Sequence, residues 1–119
     1  MGSLDKDIFI CFDCETTGLT PETDRIIELA AVRFTFSEIL DTFETLIDPE
    51  TPISPESMAI HHITDAMVQG KPKIQEVLPS FLEFIGKGMI VGHGITNDIA
   101  FVTAASKQHA IACHLYQSQ

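Results

Sequence analysis

Basic residues are scarce in this chain: 7 Lys and Arg stand against 17 Asp and Glu in 119 residues, a formal net charge of −10. That shortage excludes a protein that grips a long stretch of duplex through phosphate contacts, because each such contact needs a cation on the protein. A nucleic-acid enzyme of this charge holds only a strand end, and leans on bound metal or on a partner to offset repulsion. No apolar run approaches the roughly 20 residues needed to span a bilayer. The N-terminal stretch, with Asp5, Lys6 and Asp7, lacks the pattern of a secretory signal, so a soluble cytoplasmic protein with no membrane partner is expected. Cysteines number three, an odd count that argues against a disulfide framework. Cys11 and Cys14 have C-x-x-C spacing, but no second Cys/His pair accompanies them and strand alternation points the two thiols to opposite faces. Repeats, low-complexity tracts and linkers are also missing. With 45% hydrophobic residues the chain reads as one domain with a real core.

What is present reads as an α/β arrangement. Asp7 to Asp13 is the first expected strand, followed by the loop TTGLTPETD. Arg25 to Phe36 and Ile39 to Ile47 follow as two strands joined by a turn near Ser37, and Asp48 to Pro52 closes the unit. Pro55 to Ile60 reads as a short helix, with a turn-rich stretch running on to Pro72. Val77, Leu78, Phe81, Leu82 and Ile85 recur at three- and four-residue steps, so a helix with one apolar face is expected, either starting late or kinked by Pro79 and stopped by Gly86 and Gly88. Met89 to Val91 is a short buried strand, and from Thr96 a last helix turns Ile99, Val102 and Ala105 inward. Cys113 falls on a helix or loop.

The stretch FDCETTG, Phe12 to Gly18, carries the chemistry. Residues two apart on a strand share a face, so Asp13 and Glu15 project side by side, and the run leading in offers no Lys or Arg to neutralise them. A hard divalent cation answers that arrangement, and magnesium, which takes carboxylates, waters and substrate phosphates, suits a strand end of this kind. Two unrelated acids at a solvated strand end are the bland alternative. Asp98, in VGHGITNDIAF, falls in the first turn of the last helix, where a carboxylate suits the positive end of the helix dipole. Capping that helix is its bland alternative.

Taken in order, FDCETTG, DRIIELAAVRF, IHHIT and IVGHGITNDIAFV resemble the DEDD-type 3′-to-5′ exonucleases, the family that includes the proofreading epsilon subunits of bacterial DNA polymerase III. The resemblance covers Asp7 to about Val102. It implies an RNase H-like fold, a mixed β-sheet flanked by helices, which is C-terminally incomplete here, with roughly a third of the domain missing. It also implies two Mg2+ or Mn2+ ions about 3.5 to 4 Å apart, which activate a water for in-line attack on the last phosphodiester and release a nucleoside 5′-monophosphate. By the same resemblance Asp13 bridges both ions and Glu15 shares one. Asp98, five residues after His93, is the third acid and acts through water on the metal. Thr16, Thr17 and Gly18 receive the 3′-terminal nucleotide through backbone and hydroxyl groups, Leu19 wedges against its base or else packs into the core, and His93 lies on the substrate side. Glu28 resembles a structural residue of the family. Implied partners are the 3′ end of single-stranded or frayed DNA and the DNA polymerase III catalytic subunit.

The chain departs from the family's pattern in three places. The general base sits in an H-x-A-x-x-D segment, yet Ile99 to Gln119 holds no Asp or Glu at all. His109-Ala110 copies only its beginning, and His114 stands where its Asp should fall. Gly94 replaces the usual Asn, and His62 the usual Gly of I-H-G-I-T. The 119 residues alone are therefore expected to be inactive. Three other functions compete: RNA trimming by the same chemistry, a phosphatase of the D-x-D-x-T type, and a docking module that has lost its site. A phosphatase would want Asp at Glu15 and a downstream Lys with an acidic pair, where only Lys107 follows Asp98. A lost site has no reason to keep like charges clustered.

Overall fold

The computed structural model describes residues 7–117. Three strands, β1 (Phe9–Thr16), β2 (Ile26–Phe34) and β3 (Ile39–Leu46), form an antiparallel meander. Two short helices follow, α1 (Pro55–His61) and α2 (Asp65–Val68), then the long helix α3 (Ile74–Ile85). Strand β4 (Met89–Ile90), helix α4 (Ile95–Gln108) and strand β5 (Tyr116–Gln117) complete the described chain. The sheet order is β3-β2-β1-β4-β5, with β4 parallel to β1 and β5 parallel to β4. The expected mixed α/β sheet is present.

Strand alternation builds the core. Ile10, Phe12 and Cys14 of β1 point inward, while Cys11, Asp13 and Glu15 occupy the other face. Helix α3 lays Val77, Leu78, Phe81 and Ile85 over the inner face, and Phe81 packs edge-on against Phe12 and Phe43. Each such burial removes about 1.5 to 3 kcal/mol of apolar exposure. Pro79 lies inside α3, on its exposed side, so the helix begins before the proline and water can solvate the carbonyl that the missing N–H leaves free. Gly88 is required by close approach: a Cβ there would fall 2.6 Å from Cγ1 of buried Ile10.

A register shift between Glu15 and Thr16 sets Thr16 against Ile26, leaving Ile27 as an extra residue on β2. Consecutive residues Ile26 and Ile27 are thereby both buried, in separate clusters. Ile27 packs with Ile53, Ile63 and Val68, which seats α1 and α2 beside the end of β1.

Several expected bounds shift. Strand β1 begins at Phe9 and runs through Thr16, so both acids lie within it. Helix α4 starts at Ile95, one residue early, and buries Ile95, Phe101, Val102, Ala105 and Ser106, whereas Ile99 is only half-buried. Helix α2 stands in the stretch read as turns, and β5 where no strand was expected; at four and two residues, neither is long enough to show a period. His109 caps the C-terminal end of α4, and His114 lies exposed in the following loop.

His62 ends α1 at φ 62°, a left-handed conformation that favours glycine. His62→Gly is expected to stabilise the fold by about 0.5 to 1 kcal/mol, the strain relieved less the extra unfolded-state freedom of glycine. Urea unfolding of the two proteins checks this, and a midpoint that stays put or falls would contradict it.

Candidate active site

The site forms where two structural interruptions coincide. Along β1, strand β4 pairs with Phe9 and Ile10 alone, so the C-terminal half of β1 has no strand neighbour on that side. The chain leaves the sheet after Val91 and re-enters as α4, whose first turn reaches the open edge. Asp98 there takes the place of the absent strand: its Oδ1 accepts the Cys14 backbone N–H at 3.0 Å and the Cys14 thiol at 3.2 Å. Asp98 is thus brought against Asp13, 85 positions earlier in the chain, and Glu15 follows on the same face of β1.

Glu28 joins them. It lies directly opposite Glu15 on β2, an arrangement that is destabilising for two like charges. The Asp13 carboxyl is raised above its ordinary value, first by burial and then by the Asp98 carboxylate beside it. Glu15 is raised by burial and by Asp13, with Glu28 and Asp98 adding to this, and Glu28 by burial, Glu44 and Asp13. The one opposing influence on Glu15 and Glu28 is that of the His61 ring, and it acts only when that ring is charged. Both arginines are used elsewhere: Arg25 Nη1 donates to the Pro49 carbonyl and Arg33 Nη1 to that of Phe84. Among the described residues the single salt bridge is Lys73 to Glu50, remote from these acids. The donor set therefore suits a hard cation. As they stand, no three or more His, Cys, Asp or Glu among the described residues are arranged so that together they could hold a metal ion.

Cys14 is buried and Cys11 exposed, as strand alternation requires, and burial with the neighbouring acids pushes the Cys14 thiol far up. It is inert as a metal ligand or redox group.

The loop after β1 is pinned from both sides. Thr17 is 4% exposed, and all its polar groups are engaged: its N–H donates to the Arg25 carbonyl, its hydroxyl pairs with Asp24 and the Arg25 N–H, and its carbonyl accepts from Ser54 and Ser57. The Thr17 hydroxyl, expected at the substrate, here has internal partners. Thr16 Oγ1 donates to the Gly18 carbonyl at 2.6 Å. Gly18 lies over Asp24, where a Cβ would fall 2.5 Å from the carboxylate. Leu19 is 85% exposed, so the alternative of a loop-to-core contact does not hold. His93 is exposed in the turn before α4 and makes no hydrogen bond to the three acids among the described residues.

Two neighbours of the acids were not assigned to the site from sequence. Glu28 reaches it through the β1–β2 register, and His61 through the fold of the α1–α2 segment; neither has a spacing signal linking it to Asp13. A shallow depression of about 430 Å³, lined in part by Asp13, Ala30, Thr42 and Glu44, opens on the same face. A cavity of about 300 Å³ near Arg25, Pro49 and Phe101 contains none of Asp13, Glu15, Glu28 and Asp98.

The mixed sheet with a helix delivering an acid to the end of its central strand defines an RNase H-like exonuclease fold. Residues 10–115 match the RNase T exonuclease family, and the chain belongs to it. It is 42% identical over 96 residues to the PolC-type DNA polymerase III of Clostridium perfringens, covering 81% of this chain and 7% of that protein. It is 42% identical over 101 residues to the DNA polymerase III epsilon subunit of Aquifex aeolicus, covering 85% of this chain and 50% of that one. Exonuclease X, solved in complex with 5′ overhanging duplex DNA, superimposes with a TM-score of 0.66 at 31% identity, over 91% of this chain and 56% of that one. The chain thus spans half or less of the length of the two polymerase III relatives and 56% of exonuclease X.

Proposed function

We propose that this chain carries the metal-binding half of a 3′-to-5′ exonuclease site that removes nucleoside 5′-monophosphates from DNA 3′ ends. In this reading it serves proofreading alongside a DNA polymerase III catalytic subunit in the cytoplasm. The observation that supports it best is the seating of Asp98 on Cys14, which collects Asp98, Asp13 and Glu15 at one strand end with no basic partner. Asp13 and Glu15 would hold the divalent ions, Mg2+ or Mn2+, with Asp98 beside them. When bound, such ions supply the charge that activates a water and steadies the leaving 3′ oxygen. The chain's own residues do the rest. The strained acids gain from a cation, Cys14 fixes the Asp98 carboxylate, and the exposed Leu19 stands beside the receiving loop as a wedge for the terminal base. Thr16 and Gly18 shape that loop, and small residues there let a sugar approach the backbone. His93 lies at the entrance to α4, on the substrate side. None of the residues after Asp98 is a candidate for the general base, so the 119 residues alone are expected to be inactive.

Calorimetric titration with manganese tests the metal site: Asp13→Ala and Glu15→Ala should each weaken binding at least about tenfold, and unchanged binding in both would mean the site lies elsewhere. The substrate is tested with matched DNA and RNA strands, in a chain extended to supply a base. Equal hydrolysis of free and blocked 3′ ends would overturn the direction, and a preference for RNA would favour RNA trimming.

A further inference from the structure

His61, the last residue of α1, uses both ring nitrogens. Nδ1 lies 3.0 Å from the Ile63 backbone N–H, and Nε2 lies 3.1 Å from the Thr16 carbonyl oxygen. An amide N–H can only donate, so Nδ1 is bare; a carbonyl can only accept, so Nε2 carries the proton. The two contacts together select one neutral tautomer. The left-handed turn at His62 makes this reach feasible, because it folds the Ile63 N–H back toward the ring.

The ring thus joins two segments 45 positions apart. One is the α1–α2 turn, anchored by Ile63 in the second apolar cluster. The other is the residue between Glu15 and the buried Thr17, at the start of the loop that presents Gly18 and Leu19. Ser54 and Ser57 hold the Thr17 carbonyl from the same side, and Asp24 holds the Thr17 hydroxyl and the Thr20 N–H from the other. Among the described residues His61 supplies the one side-chain hydrogen bond to the Thr16 carbonyl.

We propose that His61 is a positioning residue for the 3′-end subsite: its neutral ring ties the Thr16 carbonyl to the α1–α2 turn and so sets the loop that receives the terminal nucleotide. The proposal rests on the nuclease reading above. It assigns His61 no proton transfer, since a ring with both nitrogens engaged has no lone pair free for water.

The test uses the 119-residue chain and three variants. His61→Gln keeps a donor near the Nε2 position, His61→Asn keeps an acceptor near Nδ1, and His61→Ala keeps neither. Nitrogen-15 NMR of the imidazole at neutral pH should report the Nε2–H tautomer. Affinity for a short single-stranded DNA with a free 3′-hydroxyl should fall about tenfold in His61→Ala and His61→Asn and recover in His61→Gln. Manganese affinity should stay within about twofold throughout. A Nδ1–H or doubly protonated ring overturns the proposal, as does a parallel loss of manganese affinity or an Asn variant that binds the strand as well as Gln. Should His61→Ala fail to fold, the Gln and Asn variants still decide. If the parent chain binds no 3′ end, the nuclease reading fails instead; the tautomer and the relative thermal stabilities of Gln and Asn then decide whether the tie itself exists.

Discussion

Supplied with a following segment that carries an H-x-A-x-x-D histidine and aspartate, the chain is expected to hydrolyse a 3′-labelled strand at least about a hundredfold faster than the 119 residues alone, at equal concentration in manganese. A positioned general base contributes about 10² to 10⁴ in rate, and His109, His114 and His61 are not placed to act as one. His109 ends α4, eleven residues after Asp98, which puts it roughly 16 Å further along the helix. His114 lies in the loop beyond, exposed. His61 has both nitrogens engaged. The same extension should improve solubility, because the sheet and its β2–β3 turn leave Phe36, Ile39, Met89 and Tyr116 between 41% and 69% exposed. Comparable turnover from the short and extended chains would sink the idea. It would mean that His109, His114 or a partner chain supplies the base.

The second large effect concerns stability and metal. Asp13, Glu15 and Glu28 are raised from ordinary values of 3.8, 4.5 and 4.5, so the folded chain binds more protons than the unfolded chain across the window just above those values. Stability therefore falls as pH climbs through that window and returns on acidification. Asp98→Asn removes the charge that is the largest cause after burial for Asp13. In the metal-free state this variant should be more stable than the parent at neutral pH, by about 0.5 to 1 kcal/mol once solvent screening of these partly exposed groups is allowed for. Its stability should also depend less on pH. Manganese reverses the ranking: at a hundredfold excess over its dissociation constant, a ligand that binds only the folded state stabilises by about 2.7 kcal/mol, and Asp98→Asn should lose most of that gain. Thermal melts of both proteins, with and without manganese at neutral and mildly acidic pH, decide it. A variant that is less stable without metal, or equally stabilised by it, would show that Asp98 serves only to hold α4 on the sheet.

Local periodicity determined a good deal of this protein. The alternation of Ile10, Phe12 and Cys14 with Cys11, Asp13 and Glu15 is a property of extended backbone, so the two-faced strand and its paired acids follow from the residues alone. Helix α3 and the α/β order were legible for the same reason, since apolar residues at three- and four-residue steps permit only one buried face. Membership of the exonuclease family was legible because its motifs occur in order along most of the chain. Tertiary structure alone decided the rest. Asp98 could be read as a helix cap until β4 proved too short to cover β1, leaving the Cys14 N–H for its carboxylate. The pairing of Glu28 with Glu15 depends on register and on a bulge that no spacing announces. The Thr17 hydroxyl, available for substrate in the sequence, is consumed inside a pinned loop, and His61 is held in one tautomer by groups 2 and 45 positions away. These are contacts between distant segments, fixed by which backbone groups are left without partners once the sheet has formed, and that accounting exists only in the folded chain.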